Sequence, residues 1–173
     1  MSEQAPQPDQ SAQTAQPSFG IERVYLKDLS LEIPHGAAAF QEREAPRVEI
    51  QMHNQGGPIG DGVFEAVLTV TVTAKVGEKT LFLVESAQAG IFHIRNVPQQ
   101  ELDPILNITC PNILLPFARE AIASTVTRAG FPPVLLSPLN FEALYLQQRQ
   151  QQAAAAQAQP VATQSTEPKP TTH

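Results

Sequence analysis

Residues 63–76 read VFEAVLTVTVTAKV. The even positions, Phe64, Ala66, Leu68, Val70, Val72, Ala74 and Val76, are all apolar, while the odd ones from 65 to 75 are Glu65, Val67, Thr69, Thr71, Thr73 and Lys75. Alternation with a period of two over this length is a long strand with one face buried. Upstream, Val48, Ile50 and Met52 alternate with Arg47, Glu49, Gln51 and His53, a second strand, and the glycine-rich GGPIGDG (56–62) is expected to join the two as a loop. Downstream, a third strand covers about 79–94. Parity tests the turn before it. A two-residue loop at Gly77 and Glu78 puts Glu85 on the buried face, whereas a three-residue loop sets Phe82 against Ala74 and Val84 against Val72. Register follows the buried face and three-residue hairpins with glycine are common, so the three-residue loop is expected.

The first strand, 19–33, is less regular. Leu29, Leu31 and Ile33 share one face opposite Asp28, Ser30 and Glu32, but Val24 and Leu26 occupy the other parity, which implies a bulge or a two-sided environment. After Val97 the pattern turns helical. A short turn or helix is expected around 99–106. A long helix then starts near Pro111, a residue suited to a first turn, and stops near Gly130. Its apolar residues spread beyond one stripe, so it should touch its own sheet and something else. FPPVLLSP (131–138) must be extended, and Asn140 caps a last helix from 141 to 148 that could reach the alanines 153–156. Strands followed by helices define α+β: a four-stranded antiparallel sheet packed with a long helix and a C-terminal helix.

All ten aromatic residues, eight Phe and two Tyr, fall between Phe19 and Tyr145. Residues 1–18 and 149–173 are rich in Gln, Pro and Ala, and such ends bury too little apolar surface to offset their ordering entropy, so both are expected to be disordered tails around a domain at 19–148. The chain carries a formal net charge of −6 with no Lys/Arg cluster, a poor match for nucleic acid or an anionic membrane. No apolar run approaches the ~20 residues of a membrane span. The opening MSEQAPQPDQ lacks the basic and apolar regions of a secretory signal, and one cysteine, Cys110, fits a reducing compartment; both point to a soluble cytoplasmic protein.

Enzymatic constellations are missing from the residue pattern. GGPIGDG lacks the ending of a phosphate loop and sits between antiparallel strands. His35, His53, His93 and His173 have no metal-ligand spacing. Cys110 near a helix start would have a lowered thiol pKa, but no motif supplies a base. Asp28 and Glu32 stand ~13 Å apart along a strand, too far for a glycosidase pair at ~5–9.5 Å. Two oddities remain: an outer sheet face that mixes Asp28, Glu32 and Glu85 with Leu83, and an apolar excess in the long helix and the 131–139 segment. A solvated face and an oligomer interface account for them as simply as binding surfaces do.

CPNILLPFARE (110–120), AGFPPVLLSPLNFEALYLQQ (129–148), VYLKDLSLE (24–32) and VTVTAKVGEKTLFLVESAQAGIF (70–92) together closely resemble the SecB family of protein-export chaperones, across essentially all of 19–148. The resemblance implies a cytosolic homotetramer, a dimer of dimers whose long helices meet at the tetramer interface. It implies an ATP-independent chaperone that binds unfolded precursor polypeptides, keeps them translocation-competent and delivers them to the SecA motor, with no catalysis, no cofactor and no metal. Matching positions imply SecA contacts at Asp28, Glu32, Leu83 and Glu85, and subunit packing at Val84, Ser86 and Gln88, the first two being substituted types. They imply a client groove at Val48, Ile50 and Met52, with Phe40, Phe92 and Phe131 as neighbours. Members often carry tryptophan where this chain has Glu44. The alternative is an acidic adaptor that recognises one folded partner through the outer face.

Overall fold

The computed structural model of the chain describes residues 16–157; of the expected tails at 1–18 and 149–173, residues 1–15 and 158–173 lie outside the described residues. Strands β1 (Ser18–Glu32), β2 (Arg47–Gly60), β3 (Val63–Val76) and β4 (Lys79–Arg95) form one antiparallel sheet in the order β1-β4-β3-β2. The even positions of β3, from Ala66 to Ala74, are buried, as their alternation requires. A 3-10 turn (Gly36–Gln41) lies between β1 and β2.

The β3–β4 register places Ala74 opposite Phe82 and Val72 opposite Val84, as parity demands, but by another route than a three-residue loop. Val76 pairs with Lys79 across a two-residue turn at Gly77 and Glu78, Lys75 pairs with Thr80, and Leu81 is left over as a bulge. Two-residue hairpin turns need positive φ, which Gly77 supplies at 56°. The bulge then returns the buried set to the inner face.

GGPIGDG is mostly strand rather than loop. Gly56 pairs with Ala66 and Pro58 with Phe64, which leaves the turn to Asp61 and Gly62. Pro58 is tolerated because β2 is an edge strand. In β1 the expected irregularity is two bulges. Glu22 is skipped between Ile21–Phe92 and Arg23–Ile91, and Lys27 between Leu26–Gln88 and Asp28–Ala87.

The helical part is longer than expected. Helix α1 (Gln99–Pro104) passes through a π turn (Ile105–Thr109) directly into α2 (Cys110–Arg128). The Cys110 N–H reaches back to the Ile105 carbonyl, so the missing N–H of Pro111 falls beside a turn already widened. Helix α2 lies across β4 and β3. Gly90 lets it approach, since a Cβ there would stand 2.6 Å from the Phe92 ring and 3.1 Å from Leu114 Cδ2. Cys110, Leu114, Leu115, Ala118, Ala121, Ile122 and Val126 are all buried, and Phe117 is the large apolar side chain of α2 left half-exposed. The apolar excess expected of this helix is therefore mostly satisfied within one chain.

On the face that α2 covers, Ser86 is fully buried and its Oγ has no hydrogen-bond partner. A buried hydroxyl without a partner costs its desolvation, so Ser86→Ala is expected to raise stability by about 1 kcal/mol. Urea denaturation measures this, and a midpoint that fell would mean the hydroxyl is satisfied in the assembled protein.

Helix α2 ends at Gly130, whose φ of 92° turns the chain while the Phe131 N–H bonds the Val126 carbonyl at 3.2 Å. The chain divides into two units, one ending at Leu139 and one beginning at Asn140. In the second, Asn140 Oδ1 accepts the Ala143 N–H at 3.0 Å and caps α3 (Phe141–Gln157). The helix runs past Gln148, so the tail expected from 149 is helical up to Gln157. Gln and Ala are good helix formers, and their low complexity concealed this. No helix among the described residues is long and apolar enough to cross a membrane.

Candidate functional site

Two surfaces stand out, one on each face of the sheet. The first is an open cleft of about 640 Å³ on the inner face, at the end of β2. Val48 faces Ala74 and Ile50 faces Val72, on the inner side of the sheet, yet they are 41% and 43% exposed. Phe40 from the 3-10 turn and Phe131 from the segment after α2 close the cleft; their rings stack at 4.7 Å, and Phe82 packs on Phe131 at 4.8 Å. Leu135, 76% exposed, extends the apolar lining. Glu42 and Glu44 also line the cleft. Lys79 holds Glu42 at 2.7 Å, so the wall that carries Phe40 is tied to the β3–β4 turn.

Four of the six expected groove residues therefore come together: Phe40, Val48, Ile50 and Phe131. Phe92 does not join them. It is fully buried on the inner face and stacks on Phe19 at 5.7 Å, because it shares the parity of Phe82 but lies near the far end of β4. Met52 shares the face of Val48 and Ile50 but is half-buried and outside the cleft, toward Asn54, whose amide bonds the Leu106 carbonyl at 3.2 Å. Leu81, Phe82 and the run from Pro132 to Leu135 line the cleft and were not foreseen as groove residues. For Pro132 to Leu135 the one signal was the extended apolar FPPVLLSP, and for Phe82 its inner-face parity.

The second surface is the outer face. Asp28 sits opposite Ala87, Ser30 opposite Glu85 and Glu32 opposite Leu83. Asp28, Glu32, Leu83 and Glu85 thus share one patch, with Glu85 a diagonal neighbour of both β1 acids at ~7–8 Å. Thr71 Oγ1 donates to Glu85 at 2.6 Å and orients it. Nearby, Glu65 of β3 takes the Lys27 ammonium at 2.7 Å on one oxygen and the Tyr25 hydroxyl on the other. The bonds from Lys27 and then Tyr25 hold the Glu65 carboxyl below the usual carboxylate range, and the same contact with Glu65 raises both the Tyr25 phenol and the Lys27 ammonium.

Val84, Ser86 and Gln88 are almost wholly buried in the single chain, on the face that α2 covers. They expose next to no surface of their own in the single chain. Cys110 lies inside a continuous helical run rather than at a helix start, and burial pushes its thiol up to about 12, so it stays neutral at pH 7. Among the described residues no cluster of His, Cys, Asp and Glu could hold a metal.

An aromatic cleft beside an edge strand thus lies on one face of the sheet, with a separate acidic patch on the other. The model of the SecB family, described as preprotein translocase subunit SecB, matches residues 12–152, and this chain belongs to that family of protein-export chaperones. The protein-export protein SecB of Methylobacillus flagellatus is 63% identical over 145 residues, spanning 84% of this chain and 92% of its own length. That of Chromobacterium violaceum is 59% identical over 146 residues, spanning 84% and 97%. Among solved structures, the Rv1957 SecB-like chaperone of Mycobacterium tuberculosis, in complex with a ChAD peptide from the Rv1956 HigA1 antitoxin, matches with a TM-score of 0.56, covering 70% of this chain and 91% of that one. At 14% identity this likeness speaks for the fold alone.

Proposed function

We propose that this chaperone works in the cytoplasm as a dimer of dimers, captures unfolded precursor polypeptides in the inner-face cleft, and hands them to SecA through Asp28, Glu32, Leu83 and Glu85. The observation that carries the reading is the cleft itself: exposed Phe40, Val48, Ile50 and Leu135 gathered in one opening. Scattered exposed apolar residues are ordinary, but a contiguous set marks a binding surface. A folded client hides its apolar side chains, while an unfolded one offers each at ~1.5–3 kcal/mol of burial. One long chain can occupy several clefts of an oligomer at high effective concentration, which gives tight capture from weak contacts.

Phe117, half-exposed on α2, supports the long helices as the subunit contact, with Val84, Ser86 and Gln88 acting through the helix they support. Light scattering coupled to size exclusion is expected to give about four times the 18.7 kDa chain mass. A monomer at micromolar concentration would contradict the assembly. For function, the test is binding to several unrelated denatured proteins and to their native forms. Capture of the denatured forms only is expected. Recognition of a single folded partner would favour an adaptor that uses the outer face.

A further inference from the structure

We propose that Lys79 is a positioning residue for client capture: it clamps the segment that carries Phe40 and so keeps the aromatic wall of the cleft in place. The proposal rests on the cleft reading above and deepens it. The chain between β1 and β2 must run from one edge of the sheet to the other, because these strands lie at opposite ends of the order β1-β4-β3-β2. The first part of that crossing is GAAAFQ, the 3-10 turn of Gly36–Gln41, which has no side-chain cap at its start. Three alanines and a glycine bury little apolar surface, and Ala39 is the buried residue of the turn. A segment anchored so lightly opens easily.

Lys79 supplies the missing anchor. It stands at the β3–β4 turn, opposite Val76. Its ammonium donates to Glu42 Oε1 at 2.7 Å and to the Ala38 carbonyl at 3.4 Å, so one side chain grips the crossing on both sides of Phe40. The Lys79 and Glu42 side chains are only 32% and 30% exposed, which shields their bond more than that of an open surface pair. Phe40 is thereby held where the cleft needs it. Its ring lies over Gly130, where a Cβ would stand 3.3 Å away, and stacks on Phe131 at 4.7 Å. With the clamp closed, the wall stands before a client arrives, and binding does not have to order it. With the clamp open, affinity falls with the fraction of molecules in which the wall is formed.

Lys79→Met separates positioning from electrostatics. The probe is a labelled peptide of alternating leucine and serine with a lysine at each end. By charge alone, removing the cation frees Glu42 at the cleft wall and should tighten binding of this peptide. The clamp requires the reverse, a loss of about fivefold. Exchanging the pair, Glu42→Lys with Lys79→Glu, is expected to recover most of that loss. Charge alone predicts weaker binding still, because the exchange puts a cation into the cleft lining. A second readout follows the wall itself. The chain has no tryptophan, so Phe40→Trp reports from that position alone. Phe40 is 52% exposed, so release nearly doubles what a quencher can reach. Acrylamide quenching is expected to rise when Lys79→Met is added and to fall back in the exchanged pair. Tighter peptide binding, quenching unchanged by Lys79→Met, or an exchanged pair no better than Lys79→Met would overturn the clamp. Should Lys79→Met fail to fold, Glu42→Ala is read by the tryptophan alone, with the same two outcomes. If the unaltered protein does not bind the peptide, the cleft reading fails, while the quenching still decides the clamp.

Discussion

Replacing Val48 and Ile50 together by aspartate is expected to weaken capture of an unfolded client about a hundredfold. Both side chains are already more than 40% exposed, so the fold gives up little apolar burial when they become polar. The cleft loses much more. Two aliphatic surfaces that a client would cover vanish, and two carboxylates arrive beside Glu42 and Glu44, which already line the opening. A client apolar group would then have to desolvate a charge to enter. Two lost contacts of about 1.4 kcal/mol each give the hundredfold change. The measurement is the concentration of chaperone that halves spontaneous refolding of a denatured protein. Thermal melting should move by only a few degrees. An unchanged half-point with an intact fold would place the client elsewhere.

The alternation from Val63 to Val76 and the parity of Phe82 and Val84 were enough to assign the sheet, because a strand buried on one face writes that face into every second residue. The bulge in β1 was legible for the same reason: Leu26 and Leu29 cannot share a face without one. The hairpin turn was not, because a three-residue loop and a two-residue turn followed by a bulge at Leu81 give the same parity beyond Phe82. GGPIGDG misled because glycine and proline mark loops in general, and only the place of β2 at the sheet edge frees Pro58 from donating a ladder bond.

Long-range juxtaposition was the least legible feature. Phe40 and Phe131 are separated by three strands and α2 in the chain, and no local pattern says that their rings stack. Phe92 has the residue type of a groove aromatic, yet its position on β4 places it in the core with Phe19. The Lys27–Glu65 bond likewise joins residues two strands apart. The acidic patch was readable in part: Asp28, Glu32, Leu83 and Glu85 share an outer face by parity, but the pairing of β1 with β4 that brings them together was not written in any local pattern.

Combining Asp28→Ala, Glu32→Ala and Glu85→Ala is expected to weaken SecA binding at least tenfold, a cost of about 1.4 kcal/mol. One exposed carboxylate contributes little to an interface, but three acids of one patch, with Glu85 diagonal to the other two, would act together on a basic segment laid across them. Their places on the outer face, opposite Ala87, Leu83 and Ser30, keep them away from the α2 side of the sheet, so the core should not register their loss. Glu85 is the most coupled of the three, through Thr71 Oγ1 at 2.6 Å, and Thr71 keeps access to water once the carboxylate is gone. SecA binding should also fall as salt rises, because exposed charges are screened over ~10 Å at 0.1 M. Client holding depends on apolar burial in the cleft, and salt should change it far less. The decisive comparison is therefore a pair of titrations on one preparation, SecA binding and inhibition of client refolding, each at low and high salt. If the triple variant lost both activities in parallel, the acids would be supporting the fold rather than a partner, and the separation of the two faces would be wrong.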